Sequence, residues 1–149
     1  MQKGRHGMDD RNRIKVMIDN FGFMPETAHD EDAGYDIRTP DLLIVRAHDS
    51  VTVDTGVHMQ IPRGYVGFLK SKSGLNVRDN LTGEGVIDAG YTGSIAVKLY
   101  NHGDRAKIFN RGDKIIQIVL LPIYKPELVL VDRLDETSRG DAGFGSTGR

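Results

Sequence analysis

The 149-residue chain has no cysteine, no tryptophan and a formal net charge of only −1. Without cysteine there is no disulfide scaffold, thiolate zinc site or cysteine nucleophile, and a cytoplasmic location is expected. The nearly balanced charge argues against broad attraction to nucleic acid or to an anionic membrane. No stretch reaches the ~20 apolar residues of a membrane helix, and the beginning of the sequence lacks the apolar run of a signal peptide.

Short apolar runs are interrupted frequently by Gly, Pro, Asn or Asp, which is typical of antiparallel β domains. We expect a flexible segment at 1–12, one β domain at 13–135 and a flexible glycine-rich arm at 136–149. Eighteen glycines and scarce helical periodicity favour an all-β sandwich or jelly-roll barrel. One helical turn is predicted near 73–80. The predicted strands cover residues 13–18, 42–45, 50–54, 57–61, 65–70, 86–88, 94–101, 114–122 and 128–131.

The run at 115–121 is almost continuously apolar, which predicts a strand covered on both faces. Another subunit across a symmetry axis would pack on one face of this strand. The alternative is that the strand lies in the centre of a monomeric core. The acidic run at 30–32 is expected on the solvated surface, because adjacent acids on a loop point in different directions. The five histidines lack metal-ligand spacing.

The last eleven residues combine four glycines with one aromatic ring, Phe144, and two arginines. Such a segment loses too much chain entropy to hold one shape unaided. A nucleotide would order it, with a flat ring for Phe144 and phosphates for Arg139 and the backbone N–H groups. A frayed terminus is the alternative. Residues 143–148 also match a dinucleotide fingerprint, but no helix follows them in this sequence.

The segment 85–93 places Asp88 and Tyr91 on a predicted tight hairpin between glycines. A sharp reversal there brings backbone polar groups within reach of a planar base. Asp88 follows two β-branched residues, so we expect restricted solvent access, and as a carboxylate it can accept a proton from water. A turn aspartate that only caps its own backbone is the alternative.

Two further segments offer groups for a triphosphate. Residues 72–74 supply an ammonium, a hydroxyl and a glycine-freed N–H in a predicted loop after a strand, although such triplets are usually polar turns. Asp36 follows Ala33 and Gly34 on an expected strand and could face the hydration shell of a magnesium ion. Because magnesium keeps most of its waters beside a triphosphate, one carboxylate would suffice.

Five segments, in this order along the chain, together resemble the trimeric dUTP pyrophosphatase (dUTPase) family. They are residues 33–37, 72–75, 85–93, 111–117 and 139–148. The resemblance implies a distorted β jelly roll, a homotrimer whose three subunits share each active site, and conversion of dUTP and water to dUMP and pyrophosphate. It implies Mg²⁺ as the cofactor.

The resemblance also implies roles for the nucleoside and the attacking water. Asp88 would be the base that orients and deprotonates the water attacking the α-phosphorus, and Gln117 would contact that water or the α-phosphate. Tyr91 would pack under the deoxyribose and exclude a 2′-hydroxyl. The backbone around Gly85 and Ile87 would pair with the uracil edge.

For the phosphates, the resemblance implies that Ser73 and Gly74 hold the chain of phosphates while Lys72 adds charge. Asp36 would meet magnesium through water. The arm would close from another subunit, with Arg139 on the γ-phosphate and Phe144 over the uracil. The further substrate contacts of the arm would come from Gly145, Ser146 and Thr147.

The sequence departs from the usual family pattern at a few positions, which we expect to change affinity or kinetics rather than reaction type. These positions are Ser71, Lys72, Asn76, Gly90 and Ala142. A related dCTP deaminase is the first alternative function, but it needs further acid–base groups that the sequence does not show. A regulatory nucleotide-binding protein of the same fold is the second alternative.

Overall fold

The computed structural model describes residues 13–141. The expected flexible segment at 1–12 lies outside these residues, and so does most of the predicted arm. The predicted contacts of Phe144, Gly145, Ser146 and Thr147 therefore stay predictions.

Ten strands and one helix are present within residues 13–141. In chain order they are β1 Lys15–Ile18, β2 Gly34–Arg38, β3 Leu43–Val45, β4 Ser50–Asp54, β5 Val57–Gln60, β6 Tyr65–Lys70, α1 Ser73–Asp79, β7 Leu81–Ile87, β8 Ala96–Asn101, β9 Lys107–Phe109 and β10 Lys114–Pro122. The all-β expectation is confirmed, and the turn predicted near 73–80 is the helix α1. No helix among residues 13–141 is long and apolar enough to cross a membrane.

The strands form one six-stranded antiparallel sheet in the order β2-β10-β6-β7-β8-β4, with the pairs β1-β5 and β3-β9 beside it. Strand alternation builds the core, because every second side chain points inward. In β8, Val97 and Leu99 are buried, while Ala96, Lys98 and Tyr100 on either side of them are exposed. Ile116 and Ile118 of β10 are fully buried and belong to the same apolar cluster. The sheet thus curls around one core.

Two strand predictions are corrected, and one strand was not predicted. The strand predicted at 86–88 is the end of the longer β7, and β9 was missed because three residues are too few to show alternation. Residues 128–131 are not a strand in this chain, and the side chains of Leu128 and Leu130 are almost completely exposed. A strand needs an edge to pair with, and no edge of the described chain pairs with this segment.

Truncating the core should destabilise the fold far more than truncating an equal side chain on the surface. Ile116→Ala removes a fully buried side chain and should lower the free energy of unfolding by about 3 kcal/mol, because a cavity remains. Ile44→Ala is the control, since Ile44 is half exposed on β3 and should cost less than about 1 kcal/mol. Equal shifts of the urea midpoint in both variants would contradict this core assignment.

Candidate active site

A pocket of about 380 Å³ opens where the beginning of α1 faces β2 and β10. Five of the residues predicted from the sequence line it together, namely Asp36, Lys72, Ser73, Gly74 and Gln117. Two cationic side chains that the sequence analysis did not assign, Arg78 and Lys114, also line it. These two and Lys72 give the pocket three positive side chains, beside the carboxylates of Asp32 and Asp36. Positive side chains on a concave surface attract anions.

Asp36 lies at the base of this pocket, and its side chain is only 5% exposed. Lys72 Nζ donates to one carboxylate oxygen, and Lys114 Nζ lies 2.7 Å from the other. Burial raises the pKa of Asp36, but the hydrogen bonds and charges of Lys114 and Lys72 outweigh burial, so the pKa is lowered overall. The carboxylate is therefore ionised and holds both ammonium groups beside the pocket.

Gln117 reaches the same pocket because of an irregularity in β10. The register of β10 against β2 shifts between Lys114 and Ile116, so one extra residue is inserted. Strict alternation would place positions 114 and 117 on opposite faces, and the bulge brings both to the pocket. Gln117 Nε2 donates to the Ser71 carbonyl oxygen at 3.3 Å. A Cβ on Gly34 would lie 2.9 Å from Gln117 Oε1, so glycine makes room for this amide.

Ser73 and Gly74 lie in the first turn of α1 rather than in the predicted loop, and Lys72 is the residue before the helix. A Cβ on Gly74 would meet no atom within 4 Å, so the space before it is open. Helix α1 ends at Asp79 and is capped by Asn80, whose backbone is left-handed and whose N–H bonds the Leu75 carbonyl oxygen. This short helix thus fixes the three predicted phosphate-binding residues at the mouth of the pocket.

Asp88 and Tyr91 lie on a loop at 88–95 that does not line this pocket. The Tyr91 N–H bonds the Asp88 carbonyl oxygen at 3.0 Å, which closes a turn, and the Tyr91 hydroxyl donates to the Ser94 carbonyl oxygen at 2.7 Å. A Cβ on Gly93 would lie 2.6 Å from the Tyr91 hydroxyl, so a side chain at position 93 would displace the ring from this place. The expectation of restricted access at Asp88 is wrong for the single chain, where Asp88 is exposed.

The pocket and Asp88 lie at opposite ends of β7. The Gly83 N–H bonds Ser71 Oγ at 2.8 Å, and Ser71 directly precedes Lys72, which lines the pocket. Asp88 lies five residues farther along an extended strand, about 17 Å away at the ordinary rise per residue. One chain therefore does not bring its own catalytic candidate to its own phosphate-binding candidates.

Near Asp88, β7 separates from its neighbour β8. Pairing between the two strands stops at Gly83, and among the described residues 84–87 pair only with β6. The edge that carries Gly85 and Ile87 is thus left without a strand partner on the β8 side. Backbone groups on such an edge can bond a planar ligand.

Arg139 and the acidic run at 30–32 are the other sequence predictions that fall within the described residues. Arg139 is exposed at the end of the described chain. The acidic run at 30–32 is exposed as expected, and Asp32 accepts hydrogen bonds from the backbone N–H groups of Ala28 and His29.

Within 13–141 no three acidic, histidine or cysteine side chains lie close enough to hold a metal ion. Asp36 keeps lone pairs for water beside its two lysines, so it fits a magnesium ion held mainly by a triphosphate.

Comparison with known proteins supports the family resemblance. A family model described as dUTPase matches residues 9–148. The chain belongs to the dUTPase family. The deoxyuridine 5′-triphosphate nucleotidohydrolase of Tropheryma whipplei is 37% identical over 132 residues, which cover 86% of this chain and 90% of that protein. The enzyme of the same name from Escherichia phage T5 is 35% identical over 145 residues, covering 91% and 98%.

Solved dUTPase structures share the fold. A dUTPase of Staphylococcus bacteriophage 80alpha with dUpNHpp aligns with a TM-score of 0.86 and 30% identity, covering 93% of this chain and 99% of that chain. A mutant dUTPase from phage phi11 of S. aureus aligns with a TM-score of 0.75 and 31% identity, covering 82% and 98%, and is described as revealing the coordination of a structural Mg(II) ion. The present dUTPase is accordingly a distorted jelly roll.

The ion pairs of Asp36 should give this dUTPase an acid-sensitive share of its stability. A carboxylate whose pKa is lowered on folding stabilises the protein above its unfolded pKa, near 3.8, and that stability is lost as pH falls through the lower folded pKa. At pH 7, Asp36→Asn should cost about 2 kcal/mol, because it leaves two lysines without their shared partner.

Urea denaturation of both proteins at several pH values measures this difference, which should shrink steadily below about pH 3.8. Glu84→Gln is the matched control, because Glu84 bonds Lys70 at 2.8 Å in an exposed pair and should leave stability nearly unchanged. A difference between wild type and Asp36→Asn that stays constant down to pH 2 would contradict the assignment.

Proposed function

We propose that this dUTPase hydrolyses dUTP to dUMP and pyrophosphate by attack of water on the α-phosphorus. The observation that carries the proposal is the pocket in which Asp36 holds Lys72 and Lys114 beside Gln117, Ser73 and Gly74. Phosphoryl transfer needs little covalent chemistry from a protein, but it needs phosphate charge neutralised and water positioned. The reaction would lower dUTP and supply dUMP for thymidylate synthesis.

In the proposed reaction Asp88 is the general base. Its carboxylate accepts a proton from the water that attacks the α-phosphorus, and pyrophosphate leaves as the P–O bond to the β-phosphate breaks. Tyr91 packs under the deoxyribose, where a 2′-hydroxyl would clash with its ring. The tether from Tyr91 to the Ser94 carbonyl oxygen supports this role, because it fixes the ring before substrate arrives. Backbone groups on the unpaired edge around Gly85 and Ile87 form hydrogen bonds to the edge of uracil.

Lys72, Ser73 and Gly74 bind the phosphate chain, and Gln117 contacts the α-phosphate or the attacking water. Magnesium, when bound with the triphosphate, would neutralise part of its charge, and Asp36 would reach its water shell. Arg139 binds the γ-phosphate, while Phe144 covers the uracil and Gly145, Ser146 and Thr147 add contacts from the arm. A closing arm excludes bulk water and must open again to release product.

We propose a homotrimer in which each active site is shared. The separation of Asp88 from the pocket along β7 supports sharing, because a second chain must then supply Asp88 to the pocket of the first. Exposed apolar groups support association, since Val86 of β7 and Leu121 of β10 lie on the outer face of the central strands. The segment at 123–134 adds exposed Tyr124, Leu128 and Leu130, which a neighbouring chain would cover. The cytoplasmic location stays a prediction.

Nucleotide assays test the reaction and separate the alternatives. With magnesium present, we expect pyrophosphate release from dUTP and little from dCTP or dTTP. Ammonia release from dCTP would favour the deaminase alternative, and binding without turnover would favour the regulatory one.

Asp88→Asn should reduce kcat about 10²- to 10⁴-fold with little change in dUTP affinity, because the amide cannot take up the proton. Asp104→Asn, an equivalent change at an exposed residue outside the site, is the control and should keep full activity. Persisting turnover in Asp88→Asn would show that another group is the base.

Light scattering coupled to size-exclusion chromatography tests the assembly. The chain mass is 16.5 kDa, so we expect a species of about three times that mass. Val86→Asp places a charge on the exposed outer face and should weaken both association and activity, whereas Val77→Asp on the exposed side of α1 is the control. A fully active monomer would overturn the shared site.

A further inference from the structure

The loop at 88–95 is held by side chains from the corner between β4 and β5. Ser94 Oγ donates to Asp54, and Thr55 Oγ1 donates to the Ile95 carbonyl oxygen at 2.7 Å. The Ile95 N–H also bonds the Val57 carbonyl oxygen at 2.8 Å. These contacts hold the end of the loop. A histidine contacts the middle of the loop.

That histidine is His58 of β5, whose side chain is 17% exposed. Its Nδ1 lies 2.8 Å from the Thr92 carbonyl oxygen, and its Nε2 lies 3.2 Å from Asp19 Oδ2. Thr92 directly follows Tyr91, and Asp19 directly follows β1. The ring therefore bridges the loop that carries the proposed base and the edge of the β1-β5 pair.

Both partners of His58 are acceptors. A carbonyl oxygen and an ionised carboxylate have no proton to donate, so each contact needs an N–H from the ring. Neutral imidazole has only one N–H, and only the imidazolium has two. The geometry therefore requires His58 to be charged when both contacts are formed.

The surroundings of His58 favour that charge. The hydrogen bond to Thr92 and then the hydrogen bond and charge of Asp19 raise the pKa of His58, burial lowers it, and the charge of Asp54 adds a smaller rise. The charged groups facing the ring are thus Asp19, after β1, and Asp54, at the end of β4. The loop contributes only the neutral Thr92 carbonyl, and the cross-strand neighbour on β1 is Met17.

We propose that His58, as an imidazolium anchored by Asp19, is a positioning residue that holds the 88–95 loop through the Thr92 carbonyl oxygen and so makes catalysis sensitive to loss of one proton. The inference rests on the proposed function, because it assigns Asp88 and Tyr91 of that loop to dUTP. His58 itself does not touch the substrate in this proposal.

The direction of the pH effect follows from the raised pKa. At low pH the ring keeps both N–H groups and the loop is held. As pH rises through the folded pKa, which lies above the ordinary value of 6.5, one N–H is lost. A ring nitrogen then presents its lone pair to an acceptor, so one of the two contacts must break. Loss of the Thr92 contact releases the loop directly, and loss of the Asp19 contact removes the anchor of the ring that holds the loop. In both cases Asp88 and Tyr91 are positioned less firmly relative to the substrate.

The charge state can be measured without turnover. Nitrogen-15 NMR of the histidine rings in the wild-type protein should show both His58 nitrogens protonated at pH 6.5, and Asp19→Asn should move the transition to lower pH. His48 is the matched control, because its Nε2 lies 2.8 Å from Asp104 Oδ1 in an exposed pair far from the loop in sequence. A single neutral tautomer of His58 at pH 6.5 would overturn the proposal.

The pH dependence of kcat/KM for dUTP tests the positioning role. Wild-type kcat/KM should fall about 3- to 10-fold across the His58 transition, which is the effect expected from one lost hydrogen bond. Asp19→Asn should shift that step to lower pH, as in the NMR titration, and His58→Gln should remove it. His48→Gln should keep the wild-type profile. An unchanged step in both Asp19→Asn and folded His58→Gln would overturn the inference.

The two proposals fail in different ways. If wild-type protein does not hydrolyse dUTP at any pH, the proposed function fails, whatever the NMR titration shows. If dUTP is hydrolysed but the pH dependence of kcat/KM is the same in wild type and in the His58 and Asp19 variants, the function stands and the positioning role is wrong. Circular dichroism of each variant separates loss of the loop contact from loss of the fold.

Discussion

One buried carboxylate organises the phosphate-binding half of this dUTPase. Asp36 comes from β2, and its two lysine partners come from the residue before α1 and from the first residue of β10. Without the carboxylate, Lys72 and Lys114 would repel each other and would not converge on one pocket. Because the carboxylate is nearly excluded from solvent, the attraction is screened less than in an exposed pair. This contact ties the residue before α1 to the sheet, while Lys107 holds the other end of the helix through Asp79 at 2.8 Å.

A second constraint is the length of β7. The strand is bound to the pocket at Gly83 through Ser71 and ends beside Asp88, so the proposed chemistry is distributed over both ends of an extended segment. An extended strand keeps its two ends apart, so β7 cannot bring Asp88 back to the pocket of the same chain. Glycine at 93 and the side chains of Asp54 and Thr55 hold the far loop in shape before any partner is present. Preformed surfaces of this kind lose less entropy when a substrate binds.

The sequence predicted the all-β class and most strands, because alternation and turn residues are local signals. Five of the residues that line the pocket were also predicted, Gln117 only through the family resemblance, whereas Arg78 and Lys114 were not. Other features depend on tertiary structure. Lys114 and Gln117 share a pocket only through the bulge in β10, and the need for Gly34 depends on where the Gln117 amide lies. Residues 128–131 have the composition of a strand but no edge to pair with in one chain. His58 looked like an ordinary histidine, since its partners at 19 and 92 are distant in sequence.

The placement of Asp88 and the phosphate pocket at opposite ends of β7 has a genetic consequence. In a shared assembly, a subunit damaged at Asp88 still offers a sound pocket, and a subunit damaged in its pocket still offers a sound Asp88. Two alleles that are each inactive alone would then complement one another when co-expressed, through the hybrid sites formed from both chains. Two alleles damaged at the same end would not.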